Sequence, residues 1–347
     1  MKKLLPITIL TLLLTFVSCT DDDPVTPEPT LQEIQQDIKN TFNGAVNCLS
    51  SYENGQFSVA LQDFFMINNG EIDEAYSDFL VSQLDTYNID LENFSMVNHS
   101  GVYNWNSTTD SWNYTSNSQN MLIFNFPFLE TGTTNNMKII IEAYEVQELD
   151  LEYYPTKLIG TIEKDGFEIH FINLDNVTYQ VGADGVFPTN FDLEIRTMPM
   201  THYFDLEQTS SNQFKFNYAS NNNGSCKTNF NINASTLTSD YTTIEGLEDF
   251  SSVTGNVSHD MLNLVFTADT NSLNMIDEPT VAQINQYTNV NVLLGNSQIG
   301  HLEYEETNDT GAVILVHNNG TRENADAYVN ETLANEIEAI FSNYTTD

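Results

Sequence analysis

KLIGTIEKDGFEIHFINL, residues 157–174, holds two runs on either side of Asp165-Gly166. Apolar residues alternate through Phe167, Ile169 and Phe171, the period of a half-buried strand. Asp-Gly supplies the two left-handed residues that a tight hairpin turn needs. The stretch therefore predicts a β-hairpin with strands at 157–164 and 167–174. On this reading His170 lies on the face opposite the apolar residues and is a solvated strand residue.

The same period holds outward in both directions. Further runs lie at 101–107, 110–115, 120–128, 136–146, 176–182, 189–197, 200–208, 213–219, 226–234, 250–258, 261–268, 288–295, 298–305 and 311–317. Asp184-Gly185 and Asn223-Gly224 mark additional turns. Strand follows strand with no helix between them, which disfavours a parallel βαβ arrangement. Residues 157–234 read as an antiparallel meander.

The flanks carry a different period. Ile34, Ile38, Phe42, Ala45 and Leu49 recur at helical steps and predict a helix over 31–52. Residues 56–67 and 71–91 also suit helices, broken at Asn68-Asn69-Gly70. Val329, Leu333, Ile337, Ile340 and Tyr344 form a stripe that predicts a closing helix over 323–344, with Glu323 and Asp326 in its first turn. The expected class is α+β: a helical N-terminal segment, a long antiparallel β-meander or curved sheet, and a C-terminal helix packed on that sheet. Residues 31–347 form one domain on this reading, with a possible subdivision near 98.

The first 30 residues have another use. Lys2 and Lys3 precede an apolar stretch, Leu4 to Val17, too short to span a bilayer but suited to a signal peptide. It ends in Phe16-Val17-Ser18-Cys19, which resembles the lipobox of bacterial lipoproteins. The resemblance implies cleavage after residue 18, diacylation of Cys19 and acylation of its new amine. Asp21, Asp22 and Asp23 follow, and such a cluster resembles the surface-export signal of Bacteroidetes lipoproteins. The implied location is the outer membrane, lipid-anchored and facing the cell exterior. Residues 19–30 then form an acidic, Pro-rich tether, extended as Pro-rich linkers are.

Composition narrows the function. Forty-nine Asp and Glu against ten Lys and Arg give a formal charge of −39, which leaves no basic patch for nucleic acid. It equally disfavours electrostatic docking on anionic lipid. Hydrophobic residues at 40% and charged ones at 17% allow a sizeable core and argue against disorder. The acids form no Asp-x-Asp-x-Asp-Gly loop, so calcium is at most a structural extra. None of the six His has zinc-site spacing, and no metal or cofactor is expected. Gly-x-Ser-x-Gly, Ser-x-x-Lys, His-Glu-x-x-His and the phosphate loop are all missing, so the chain reads as a non-enzyme.

With Cys19 acylated, Cys48 and Cys226 remain. Both fall on core-facing positions. Two free, buried thiols acting as small hydrophobes are the plain reading, and a disulfide is the alternative.

Tyr103-Asn104-Trp105 and Trp112-Asn113-Tyr114 are the best local constellation. With residues 107–110 as the turn, Trp105 faces Trp112 and Tyr103 faces Tyr114. Such pairs brace hairpins. Exposed, they would form a platform for sugar rings. The expected role is non-catalytic binding or interaction by a surface lipoprotein. The alternatives are a carrier of lipid or another apolar ligand in a half-barrel sheet, as in some bacterial lipoprotein carriers, and an accessory glycan-binding protein.

Overall fold

The computed structural model describes residues 30–53, 55, 96–109, 111–117, 119–128, 132–222, 225–307 and 310–328. The signal segment, Cys19, Asp21–Asp23 and the helices read at 56–67 and 71–91 lie outside these residues, as does the closing helix beyond Tyr328.

Sixteen strands form one open, largely antiparallel sheet. They are β1 (Gly101–Asn106), β2 (Ser111–Thr115), β3 (Leu122–Phe126), β4 (Met137–Leu149), β5 (Glu152–Lys164), β6 (Phe167–Gly182), β7 (Gly185–Thr197) and β8 (Met200–Ser210). They continue with β9 (Gln213–Asn222), β10 (Ser225–Thr236), β11 (Phe250–His259), β12 (Leu262–Ala268), β13 (Thr288–Leu294), β14 (Ser297–Thr307), β15 (Thr310–His317) and β16 (Arg322–Asn324). Among the described residues four α-helices accompany them: α1 (Leu31–Glu53), α2 (Met96–His99), α3 (Thr270–Asn274) and α4 (Val281–Tyr287). Among the described residues strand accounts for 63% and helix for 16%: the expected long antiparallel sheet is present, and the described architecture is mostly β.

From β3 to β16 each strand lies beside its neighbour in sequence. The exception is at the start, where β3 pairs with β1 in parallel and leaves β2 at the sheet edge. Two predicted strands, 167–174 and 176–182, are one strand, β6. Asn176 takes φ 56° there and the pairing with β7 slips between Asp175 and Thr178, so the strand bends without ending. The predicted closing helix does not begin at Glu323. Residues 322–324 pair with β15, and a 3-10 turn follows at 325–327.

Two hairpins of the meander use the same tight turn. Asp165 and Gly166 take φ 53° and 81°, and Lys164 pairs directly with Phe167. Asp150 and Leu151 take φ 51° and 71°, and Leu149 pairs with Glu152. Glycine meets this geometry freely, whereas a leucine there costs roughly 1 kcal/mol.

The chain divides into two compact units, residues 1–50 with 206–347, and residues 51–205. In the second, α2 and β1–β4 hold a core of Tyr103, Trp105, Trp112, Leu122, Phe124 and Phe126. Strands β5–β7 are longer and mostly half-buried on both faces. Ion pairs tie them across: Lys138 to Glu163 at 3.1 Å, Lys157 to Asp175 at 3.1 Å, and Arg196 to Glu168 at 2.9 Å. The Arg196 guanidinium also lies 3.8 Å from the centre of the Phe171 ring. His170 is half-buried rather than solvated, and that burial pushes its imidazole below the usual pKa.

In the first unit α1 starts on a capping box. Thr30 Oγ1 accepts from the Glu33 N–H, and the Glu33 carboxylate accepts from the Thr30 N–H. Ile34 and Ile38 pack on a sheet face made by Val257, Leu262, Leu264, Val290, Val292, Leu294, Val313 and Leu315. Registers put these on one side: Val257 opposes Leu264, Leu264 opposes Val292, and Leu302 opposes Leu315. Side chains of Phe42, Ala45 and Leu49 lie outside the description.

Cys48 of α1 and Cys226 of β10 form a disulfide, with Cα atoms 5.6 Å apart and 178 residues between them in sequence. The reading of two free thiols is thereby corrected. Helix and strand patterns gave each cysteine a core-facing position, but only the tertiary fold brings α1 onto β10. A bridge closing so long a loop is worth roughly 3–5 kcal/mol. Replacing both cysteines with Ser should lower the urea midpoint by the equivalent of that amount. Identical midpoints with and without reductant would show that the bridge contributes nothing.

Candidate functional site

The aromatic hairpin forms with the expected register: Trp105 opposes Trp112, and Tyr103 opposes Tyr114. β1 and β2 put all four side chains on one face, and β3 adds Phe124 and Phe126 beside them. Trp105 and Trp112 meet edge to face at 5.5 Å, and Trp112 meets Phe124 in the same way at 5.6 Å. Tyr103 stacks on Phe124 at 4.9 Å. Trp105 is 7% exposed, Trp112 6% and Tyr103 3%, so these rings have no open face on which a sugar could stack.

Tyr114 is the member that reaches solvent. Its ring lies over Gly101, where a Cβ would come within 2.2 Å of it, so a side chain there would displace the ring. Its hydroxyl donates to the Ser100 carbonyl at 3.0 Å, and the Tyr103 hydroxyl donates to the His99 carbonyl at 2.8 Å. Asn104, between the two aromatic residues of β1, is engaged as well: its Oδ1 accepts from Asn125 at 2.9 Å. The geometry is that of a brace.

A second arrangement, in the first unit, was not singled out from the sequence. Beneath α1 the sheet face leaves an apolar cavity of about 30 Å³, lined by residues including Ile38, Leu264, Leu302, Leu315 and Tyr328. Small-molecule sites run to hundreds of Å³. This cavity is a packing gap and could not hold a lipid.

Polar groups gather on the same face. Glu323 accepts hydrogen bonds from Gln35 of α1 and from the Tyr328 hydroxyl. The buried His317 ring lies beside the same carboxylate, its Nε2 3.6 Å away. Burial pushes the Glu323 carboxyl up, but the bonds from Tyr328 and Gln35 and the neighbouring His317 outweigh it, and its pKa stays low. Burial and the Glu323 carboxylate together push the Tyr328 phenol up. This cluster ties α1 to β15 and β16.

At the other end of α1, His259 is 1% exposed. Its Nε2 lies 4.0 Å from Cys48 Sγ and 3.7 Å from Asp260 Oδ2, and its Nδ1 lies 3.2 Å from Thr228 Oγ1. Burial pushes its pKa down to about 4, against the upward pull of Asp260. No sequence spacing links Cys48, Thr228 and His259, because three separate elements supply them.

Among the described residues no group of three or more His, Cys, Asp or Glu is placed to hold a metal. None of the described helices is long and apolar enough to cross a membrane. No family model matches the chain, and neither the curated proteins nor the solved structures hold a match to it.

Two measurements check these assignments. Trp112→Ala should destabilise the protein by about 3–5 kcal/mol, the cost of deleting a buried aromatic. An unchanged urea midpoint would mean that the ring is not packed. For His259, the unfolded chain takes up a proton near pH 6.5 but the folded protein only near pH 4. Its contribution to stability is therefore full above pH 6.5 and declines as pH falls to about 4, by roughly 3 kcal/mol. Titration of the His259 ring by NMR should find its midpoint near pH 4, and a midpoint near 6.5 would refute the assignment.

Proposed function

We propose that the protein is an outer-membrane lipoprotein, anchored through acylated Cys19 at the cell exterior, that acts by binding rather than by catalysis. The observation that carries this reading is the partition of the three cysteines. Cys48 and Cys226 pair. A structural disulfide persists in an oxidising compartment outside the cytoplasm. The pairing leaves Cys19 as the odd cysteine, at the end of a signal-like apolar stretch where an acyl chain would be attached. Several acyl chains at ~0.8 kcal/mol per buried CH₂ would hold the protein stably in a bilayer.

The binding role rests on the form of the domain. An open sheet with long half-buried strands offers a wide surface for contact. The small cavity under α1 gives no container for an apolar cargo, and the buried Trp105–Trp112 pair gives no platform for a glycan.

Labelling with an alkyne fatty acid should mark the wild type and not Cys19→Ala. Equal labelling would refute the anchor. Protease added to intact cells should digest the wild type, and replacing Asp21, Asp22 and Asp23 with Ala should protect it. A wild type that resists digestion on intact cells would place the protein on the periplasmic side.

A further inference from the structure

The tip of the β4–β5 hairpin contradicts what stability alone would select. Its turn and the β5–β6 turn share one geometry: two residues at positive φ, Asp first in both. The β5–β6 turn puts Gly166 in the second place, the residue that meets the geometry without strain. The β4–β5 turn puts Leu151 there, at φ 71°. A bulky residue in that region is a genuine outlier. Packing offers no compensation, because Leu151 is 90% exposed. Neither the backbone nor the core accounts for leucine at this place.

Leu151 is not isolated. Antiparallel succession puts the β4–β5 and β6–β7 turns at the same end of these strands. Val181, on the second hairpin, is 52% exposed, and strand alternation puts it on the face that carries Tyr179 and Tyr154. The two hairpins are held together just below their tips. The Tyr154 and Tyr179 rings sit 5.4 Å apart, and the Tyr179 hydroxyl donates to the Pro155 carbonyl at 2.6 Å. The apolar tip is thus mounted on a braced support.

Charge defines what can meet it. Glu148, Asp150 and Glu152 are exposed around Leu151, and Asp184 is exposed on the neighbouring turn. Neither tip carries a lysine or arginine: the nearest cation along β5, Lys157, is already paired with Asp175. Carboxylates around an apolar knob repel anionic lipid and favour a cationic protein surface.

We infer that Leu151 and Val181 form a docking tip for a protein partner that presents an apolar socket flanked by Lys or Arg. The inference rests on the binding role proposed above and names its surface and the chemistry of its partner.

The probe is a peptide alternating Leu with Lys and carrying a benzophenone. It is photolysed with the full chain bearing Cys19→Ala, and the adducts are mapped by mass spectrometry. Adducts should fall on residues 148–153 and 180–184. Leu151→Asn, which suits the left-handed turn, should cut their yield about tenfold, the loss expected of an interface anchor. The same variant should melt no lower than the parent chain, because it relieves the strained leucine. Leu151→Met should keep the adducts. Adducts scattered over the acidic surface, an unchanged yield in Leu151→Asn, or equal yields from peptides with Ser for Leu or Glu for Lys would overturn the proposal. Anchoring is read separately by fatty-acid labelling, so failure of the tip and failure of the lipoprotein reading are distinguishable.

Discussion

Hydrogen bonding between strands adjacent in sequence is the constraint on which the rest depends. An open sheet of sixteen strands is stable only if nearly every backbone group finds its partner across a ladder. Hairpin succession achieves this with short loops, and so with little loop-closure entropy. It also relieves the middle strands of supplying a core. Among the described residues neither apolar cluster draws a side chain from β5–β9. Cross-strand contacts take over there, and the few cations serve as clamps. Lys138, Lys157 and Arg196 each bind a carboxylate on a neighbouring strand. With 49 acids and ten cations, the carboxylates that remain give a strongly negative surface, which limits self-association.

Much of this was legible in the sequence because its causes are local. Asp165-Gly166 specifies its turn through backbone geometry alone, and the alternation of Phe167, Ile169 and Phe171 needs only the strand period. The Trp105–Trp112 register follows from counting outward from the turn. Illegible features had non-local causes. β16 looked helical because Glu323 and Asp326 suit a helix start, yet the open edge of β15 recruits it. β3 beside β1 is a choice of partner strand, which periodicity does not encode. His170 went from solvated to half-buried because both faces of a long sheet are partly covered.

The functional features follow the same division. The roles proposed for Cys19 and the acidic cluster rest on a short motif alone. The polar groups under α1 cannot, since Gln35 and Glu323 lie 288 residues apart and meet only when α1 lies across the sheet. Leu151 shows an intermediate case. Its residue type was visible, but its meaning depends on a backbone angle that only the structure supplies.

The position of the disulfide has a topological consequence. Cys48 lies just before the chain leaves the first unit, and Cys226 lies shortly after it returns. All of the second unit therefore belongs to a covalent ring closed by one sulfur–sulfur bond. A peptide bond cut anywhere inside that ring opens it without releasing a fragment. A chain nicked once in a surface loop of that unit remains one molecule until the bridge is reduced.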